Sequence, residues 1–149
     1  MPLSFTTEVV LERPIRDVWR AFDSVENMKV WQPTLQSFET VSGTPGQPGA
    51  VSRLTYLEGK RRIVLTESIT ERREPEYFAG SYDRGMAENR IANHFVAVDP
   101  TRTQWRMECE FVFRGFWKLL TPLFRGAIEK RTRQDVHRFK ECLEAGSFG

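Results

Sequence analysis

The sequence predicts an α+β domain in which a curved antiparallel sheet packs around one long helix. Residues 3–11 alternate apolar and polar side chains, which is the pattern of a strand with one buried face. After Pro33 the same period of two continues for about eighty residues, interrupted only by short turn sequences. The chain then closes with a helical pattern over residues 122–145. Strands grouped together and followed by a long helix are typical of the α+β class.

Two short helices are predicted directly after the first strand, in the stretch RPIRDVWRAFDSVENMKVWQP. Pro14 suits the first position of a helix, because its missing N–H would have no partner there. The apolar residues of the first helix recur at helical spacing: Ile15, Val18, Trp19 and Phe22. Asp23 and Glu26 have the spacing of a capping box that would open the second helix. That helix carries Met28 and Trp31, and it must end near Gln32 because a following proline disfavours helix.

Six further strands are predicted, over residues 34–42, 50–58, 61–73, 76–84, 89–99 and 103–114. The segments between them are rich in glycine, proline and aspartate, as in SGTPGQPG and DRGMAE. Breaks this short join antiparallel neighbours, so we expect a meander of seven strands in all.

The closing helix would extend about 36 Å at about 1.5 Å per residue. This length is close to the diameter of about 38 Å expected for a globule of this size, so the helix must cross the molecule. Its apolar residues form two stripes offset around the axis: Leu120, Leu123, Phe124, Ala127 and Ile128, then Val136, Phe139 and Leu143. A bend near Pro122 or Gly126 would explain the offset. So would a helix that covers dry core at one end and a cavity at the other.

Composition excludes several classes of protein. The chain has 22 Lys and Arg against 20 Asp and Glu, too close to balance for a dedicated nucleic-acid binder. It shows no apolar run of membrane-spanning length and no signal-peptide pattern, so we expect a cytoplasmic protein. Cys109 and Cys142 are far apart and are expected to be reduced thiols, and neither a metal site nor a cofactor is predicted. SGTPGQPG lacks the Gly-Lys-Ser/Thr of a phosphate-binding loop.

The element order and several scattered motifs resemble a known family. The motifs are Pro14 with Val18-Trp19, Trp31-x-Pro33, GTPGQPGAV, Glu67 ahead of REPE, DPTRTQWRMECEF, and a last helix with Pro122. Together they are similar to the START-like, Bet v 1-like (SRPBCC) helix-grip superfamily, in particular its bacterial polyketide cyclase/dehydrase-type members. The resemblance covers residues 1–149 as a single START-like ligand-binding domain. It implies an elongated cavity between sheet and helix for lipids, sterols, aromatic polyketides, hormones or quinones. Some members are enzymes and many only bind.

The last strand has the clearest inward face, formed by Trp105, Met107, Cys109, Phe111 and Phe113. These side chains either pack as core against the closing helix or line a cavity, where rings and flexible methionine suit an apolar ligand. Three residues at the start of the closing helix would complete such a cavity, together with an indole of the second helix. The predicted ligand-binding set from these elements is Trp31, Trp105, Met107, Phe111, Leu120, Phe124 and Ile128.

Glu67 is the most informative polar residue. In RIVLTESIT it falls on the apolar face with Ile63, Leu65 and Ile69, where a carboxylate needs a partner, water or a raised pKa. It is a structural ion-pairing or strand-end residue, a polar cavity group that orients a ligand, or an outward residue if the register differs. In the resembling family a glutamate near this point can face the pocket.

Tyr56, Tyr82 and His94 are further polar candidates for the ligand-binding set. The strand RIANHFVAV allows two registers, one with His94 inward and one with Asn93 inward beside Ile91 and Phe95. No nucleophile–base–orienter set and no Gly-x-Ser-x-Gly motif is present, so catalytic residues are not identified.

Three hypotheses for function follow. The first is a carrier or sequestering protein for a small hydrophobic molecule such as a lipid or an aromatic polyketide. The second is a cofactor-independent polyketide cyclase, dehydratase or aromatase that uses cavity acid–base residues. The third is an interaction protein with a collapsed cavity. From Phe116 onward the chain has seven Lys and Arg against four Asp and Glu, which indicates a solvated outer face or transient contact with a membrane surface. The oligomeric state stays open.

Overall fold

The computed structural model describes residues 3–148. The strands are β1 (Leu3–Leu11), β2 (Leu35–Ser42), β3 (Val51–Glu58), β4 (Arg61–Arg73), β5 (Tyr77–Asp83), β6 (Ala87–Asp99) and β7 (Arg102–Phe113). The α-helices are α1 (Ile15–Phe22), α2 (Val25–Trp31) and α3 (Thr121–Glu144). A 3₁₀ helix over Gly115–Leu120 joins β7 to α3. The predicted α+β helix-grip fold, with seven strands, two short helices and a long last helix, is confirmed.

All seven strands form one antiparallel sheet in the order β1-β7-β6-β5-β4-β3-β2. Successive strands from β2 to β7 are neighbours, as their short connections predict, and β1 pairs with β7 on the far side. The β3–β4 hairpin has the two-residue loop Gly59–Lys60, and Gly59 has a φ of 63°. This left-handed conformation at the first loop position favours glycine and suits the twist of the strands.

One end of the concave face is a packed aromatic core, which we call the closed half. Rings from α1, α2, α3 and the sheet meet there at centroid separations between 5.1 and 6.4 Å. Phe139 of α3 is fully buried and lies 5.3 Å from Trp31 and 5.1 Å from Trp105. The Trp105 indole N–H donates to Asn93 Oδ1 at 3.0 Å, so its polar atom is satisfied. The core here includes Leu11, Val18, Trp19, Trp31, Phe95, Trp105, Met107, Val136, Phe139 and Leu143.

The helix α3 is tied to both sides of the sheet. The Arg133 guanidinium donates to Thr7 Oγ1 at 3.2 Å, and Lys140 Nζ donates to the Val10 carbonyl at 2.6 Å, both on β1. From the other side of the helix, Arg131 pairs with Glu58 of β3 and donates to Thr34 Oγ1 at 3.1 Å. The helix therefore lies across the concave face as one element, held from two directions.

Two local predictions are wrong. The N-cap of α2 is Ser24, whose hydroxyl accepts from the Asn27 N–H at 3.2 Å, so the capping position lies one residue after Asp23. Asp23 instead accepts from Arg72 at 2.7 and 2.9 Å. In the first apolar stripe of α3, Leu123 and Ala127 are exposed, whereas Leu120, Phe124 and Ile128 are half-buried.

Truncation of Phe139 tests the importance of the aromatic core. We expect Phe139→Ala to lower the free energy of unfolding by about 3–5 kcal/mol, because it leaves a cavity among rings that cannot all move in to fill it. Leu123→Ala on the same helix is the matched control and should change stability by less than about 0.5 kcal/mol. Urea unfolding followed by circular dichroism measures both, and equal effects would contradict the assigned core.

Candidate ligand-binding site

The other end of the concave face, the open half, is less tightly packed. It lies beneath the first three turns of α3, where every side chain keeps some exposure. The buried residues of this helix, Val136, Phe139 and Leu143, all lie further along it. Several apolar side chains of the sheet are likewise only partly buried in this half: Phe5, Ile63, Leu65, Ile91 and Phe111. Phe124 covers one side by stacking on Phe113 at 5.5 Å. The sheet therefore offers an apolar surface here that α3 does not fully cover.

A row of polar side chains crosses this apolar surface. Glu67 on β4 lies opposite Tyr82 on β5, and Tyr82 lies opposite Asn89 on β6. Asn89 in turn lies opposite Phe111 on β7. Directly opposed residues in antiparallel strands point to the same face, so all four side chains project toward α3. We call Glu67, Tyr82 and Asn89 the polar row.

Burial controls the protonation chemistry of the polar row. Glu67 is 6% exposed, and desolvation raises the pKa of its carboxyl above the ordinary value of 4.5, while a hydrogen bond from Tyr82 works in the opposite direction. Burial, together with the nearby Glu67 charge, raises the pKa of Tyr82 well above its ordinary value. The Tyr82 hydroxyl therefore remains a proton donor, and Glu67 is the member whose pKa moves towards neutrality.

Asn89 has an unused acceptor. Its Oδ1 atom is buried and has no hydrogen-bond partner among the residues that the structure describes. A buried oxygen of this kind costs free energy unless something donates to it. It lies between Tyr82 and Phe111 in the row, which makes it a natural position for a ligand hydroxyl or amide.

Polar groups also line the boundary between the two halves. The Tyr56 hydroxyl donates to Gln32 Oε1 at 2.7 Å, and burial raises the pKa of Tyr56. Asp135 on α3 accepts from Arg131 and Arg138, each at 3.4 Å, and burial raises the pKa of its carboxyl despite these cations. The hydrogen-bonding groups of these side chains are paired with one another, and Asp135 helps to position α3. The polar row differs because it contains an acceptor without a partner among the described residues.

The structure divides the predicted ligand-binding residues into three groups. Glu67, Tyr82 and Phe111 share one row, Tyr56 lies near it, and Leu120, Phe124 and Ile128 lie half-buried at the start of the helical cover. Trp31, Trp105 and Met107 belong to the packed core of the closed half. The inclusion of His94 is wrong, because β6 has the register with Asn93 inward. His94 lies on the convex face with its Nε2 atom 2.6 Å from Glu108 Oε1.

Sequence reasoning missed Asn89. Once Asn93 and Phe95 are known to face inward, the period of two places Ile91 and Asn89 on the same face. The unresolved register of β6 concealed this signal.

One further surface feature does not suit an apolar ligand. A surface depression of about 780 Å³ runs along the outer side of α3, but charged and polar side chains of that single helix line it. Across residues 3–148, no group of three or more His, Cys, Asp and Glu side chains is placed to hold a metal ion. No helix within the same residues is long and apolar enough to span a membrane.

Comparison with known proteins agrees with this architecture. A family model described as polyketide cyclase/dehydrase and lipid transport matches residues 2–144. The chain therefore belongs to this family, and the resemblance read from its sequence is confirmed. No curated protein matches the sequence.

Solved structures of the same fold are distant in sequence. The Zhui aromatase/cyclase from Streptomyces sp. R1128 superposes with a TM-score of 0.79 at 15% identity, covering 97% of this chain and 94% of that one. Ara h 8.0201 gives 0.78 at 17% identity, covering 97% and 99%. A START superfamily protein from Mycobacterium smegmatis gives 0.77 at 10% identity, covering 95% and 97%. At these identities the likeness establishes the fold.

The raised pKa of Glu67 predicts a pH dependence of stability. The folded protein binds this proton more tightly than the unfolded chain, so the favourable contribution is complete below the ordinary value of 4.5. It is lost as the pH rises through the raised native pKa. As the pH rises from 4.5 through the native pKa, the unfolding free energy of the wild type should therefore fall relative to that of Glu67→Gln. Urea unfolding at a series of pH values measures it, with the exposed Glu141→Gln as control.

Tyr82→Phe should raise the pKa of Glu67 further, because it removes a hydrogen bond that favours the carboxylate. A ¹³C NMR titration of the Glu67 carboxyl measures this directly. A lower pKa in the variant would show that the two side chains do not interact as described.

Proposed function

We propose that the protein binds a small hydrophobic molecule in the open half, between the sheet and the first turns of α3, as a carrier or sequestering protein. A lipid or an aromatic polyketide has the required apolar surface. The observation that carries the proposal is the polar row, which ends in an unpaired buried acceptor within an otherwise apolar face. Apolar walls with a few polar anchors are the usual composition of small-molecule sites.

The polar row suggests what the ligand carries. Asn89 Oδ1 would accept a hydrogen bond from a ligand hydroxyl, and the Tyr82 oxygen, whose single proton is donated to Glu67, would accept a second one. Burial of the remaining ligand surface contributes about 25 cal/mol per Å². Membership in a family described by polyketide cyclisation and lipid transport supports this class of ligand.

Binding can be tested with a matched pair of ligands, a hydroxylated polycyclic aromatic compound and its deoxy analogue. We expect Tyr82→Phe and Asn89→Leu to weaken binding of the hydroxylated compound about tenfold, because each removes one hydrogen bond in a buried site. Binding of the deoxy analogue should change little. Isothermal titration calorimetry measures both, and Thr66→Val on the outer face of β4 is the control. The proposal fails if native mass spectrometry finds no retained ligand and a panel of lipids and aromatics does not bind.

The Glu67–Tyr82 pair favours a second candidate, a cofactor-independent cyclase, dehydratase or aromatase. Two titratable groups meet on the same concave face, one a retained donor and the other a carboxyl with a raised pKa. Glu67 would remove a proton from a carbon between two carbonyl groups. Once Glu67 is protonated, the Tyr82 hydroxyl is free to turn its proton from Glu67 to the developing oxyanion. Product analysis with a poly-β-ketone mimic tests this: turnover that is lost in Glu67→Gln supports catalysis, and unchanged substrate with tight binding supports a carrier.

A further inference from the structure

A run of large apolar side chains is exposed where β7 passes into α3. Phe116 is 67% exposed, Leu119 77% and Leu123 75%, and Trp117 beside them is 39% exposed. We call residues 116–123 the apolar segment. The other exposed large hydrophobic residues of the described chain are valines and one leucine on strands or α2. Solvent-exposed rings and leucines grouped in this way are typical of an interaction surface.

The apolar segment lies at one end of the sheet, beside a group of cations. The Arg114 N–H donates to the Met86 carbonyl at 2.9 Å, and its guanidinium donates to the Gly85 carbonyl at 3.0 Å. The segment therefore begins next to the β5–β6 turn. In this antiparallel sheet the β3–β4 hairpin is at the same end, because β4 starts where β3, β5 and β7 finish. Besides Arg114, which pairs with Asp83 and Glu88, the exposed cations at this end are Lys60, Arg61, Arg62, Arg84 and Lys118.

These cations are not neutralised by the protein. Among the described residues, no carboxylate forms an ion pair with any of the five. Residues 111–128 contain three Lys or Arg (Arg114, Lys118 and Arg125) and no Asp or Glu. Partial desolvation and the charge of Arg61 lower the pKa of Arg84, while the charge of Glu58 acts in the opposite direction, so the Arg61 and Arg84 guanidinium groups lie near each other. An anionic partner would relieve that repulsion.

Exposed apolar side chains next to unpaired cations match the surface of an anionic bilayer. Tryptophan and phenylalanine enter the interfacial region, while lysine and arginine remain at the level of the headgroups. A second copy of the chain is a poorer partner, because a twofold interface would place the same cations against each other. We propose that this end of the molecule, formed by the apolar segment and the β3–β4 and β5–β6 turns, docks on an anionic lipid surface.

Docking in this orientation would bring the start of α3 against the bilayer. The open half lies beneath those turns of α3, so the ligand site proposed there would lie next to the lipid. The docking itself does not require the ligand proposal, because it can be measured with the purified chain and vesicles alone.

Trp117 provides a direct measurement. The other tryptophans, Trp19, Trp31 and Trp105, are at most 5% exposed. A change in tryptophan fluorescence caused by contact at the surface therefore comes from Trp117. We expect its emission to shift to shorter wavelength with vesicles containing about a quarter phosphatidylglycerol, and vesicles with brominated acyl chains to quench it. Trp117→Phe should abolish both signals. Pure phosphatidylcholine vesicles should bind much more weakly, and added salt should weaken binding to the anionic ones.

Two sets of variants separate the apolar and charged contributions. In co-sedimentation, Phe116→Ser with Leu119→Ser and Leu123→Ser should bind at least about tenfold more weakly, as should Lys60→Glu with Arg61→Glu and Arg62→Glu. Val96→Thr with Val98→Thr, also exposed but near the opposite end of β6, should bind as wild type. Circular dichroism confirms that each variant is folded.

Three outcomes would overturn the proposal. The first is an absence of binding to anionic vesicles, and the second is equal binding by the serine variant and the wild type. The third is a dimer in sedimentation that the serine changes disrupt, together with no binding to vesicles. The last would identify a second copy as the occupant. Ligand titration in solution is measured separately, so failure of docking and failure of the proposed ligand site are distinguishable.

Discussion

The fold depends on the contact between Phe139 and the indoles of Trp31 and Trp105. This contact fastens the C-terminal half of α3 both to α2 and directly to the sheet. Large rings bury much apolar surface per residue and pack edge to face, so a few of them are enough to fasten a long helix. Because the strongest packing is concentrated in the last turns of α3, the first turns are free to cover the sheet loosely. The partial exposure of the sheet's apolar side chains beneath those first turns is the direct consequence of that asymmetry.

The properties of the polar row depend on its burial beneath α3. On a solvated surface Glu67 and Tyr82 would be ordinary side chains, because water would satisfy them. Beneath α3 they are desolvated, which holds Tyr82 protonated and moves the pKa of Glu67 upward. The same desolvation makes the unpaired Asn89 oxygen costly. Buried polar groups of this kind lower the stability of the empty protein and increase its affinity for a molecule that satisfies them.

Periodicity in the sequence was sufficient for most of the fold. The bounds of the strand over residues 61–73 and the inward face of β7 follow from alternation alone. The length of α3 follows from its helical pattern and the rise per residue. The two offset stripes of α3 correspond to loose and tight packing along one continuous helix. The detail that failed was local: Ser24 rather than Asp23 caps α2, and Leu123 faces solvent. Both depend on tertiary contacts, since Arg72 recruits Asp23 and the 3₁₀ helix sets the rotation at the start of α3.

Only part of the candidate site could be predicted from the sequence. Glu67 was identifiable because a carboxylate in an apolar strand face is unusual. Asn89 and His94 were not separable, because the strand RIANHFVAV has apolar residues at both parities. In the observed register Asn93 and Phe95 are both buried, and the Asn93 oxygen accepts from the Trp105 indole. The same register turns Asn89 inward and His94 outward.

The Gly59–Lys60 loop has a consequence for how this chain can evolve. The turn is solvent-exposed, so a longer connection can be taken up there without moving the strands. An insertion or deletion within β4 before Glu67 cannot be absorbed in this way, because side chains alternate between faces and a slip of one residue against β3 and β5 would turn Glu67 to the convex side. Homologues that keep an inward acid should therefore differ in length at the turn and not along β4.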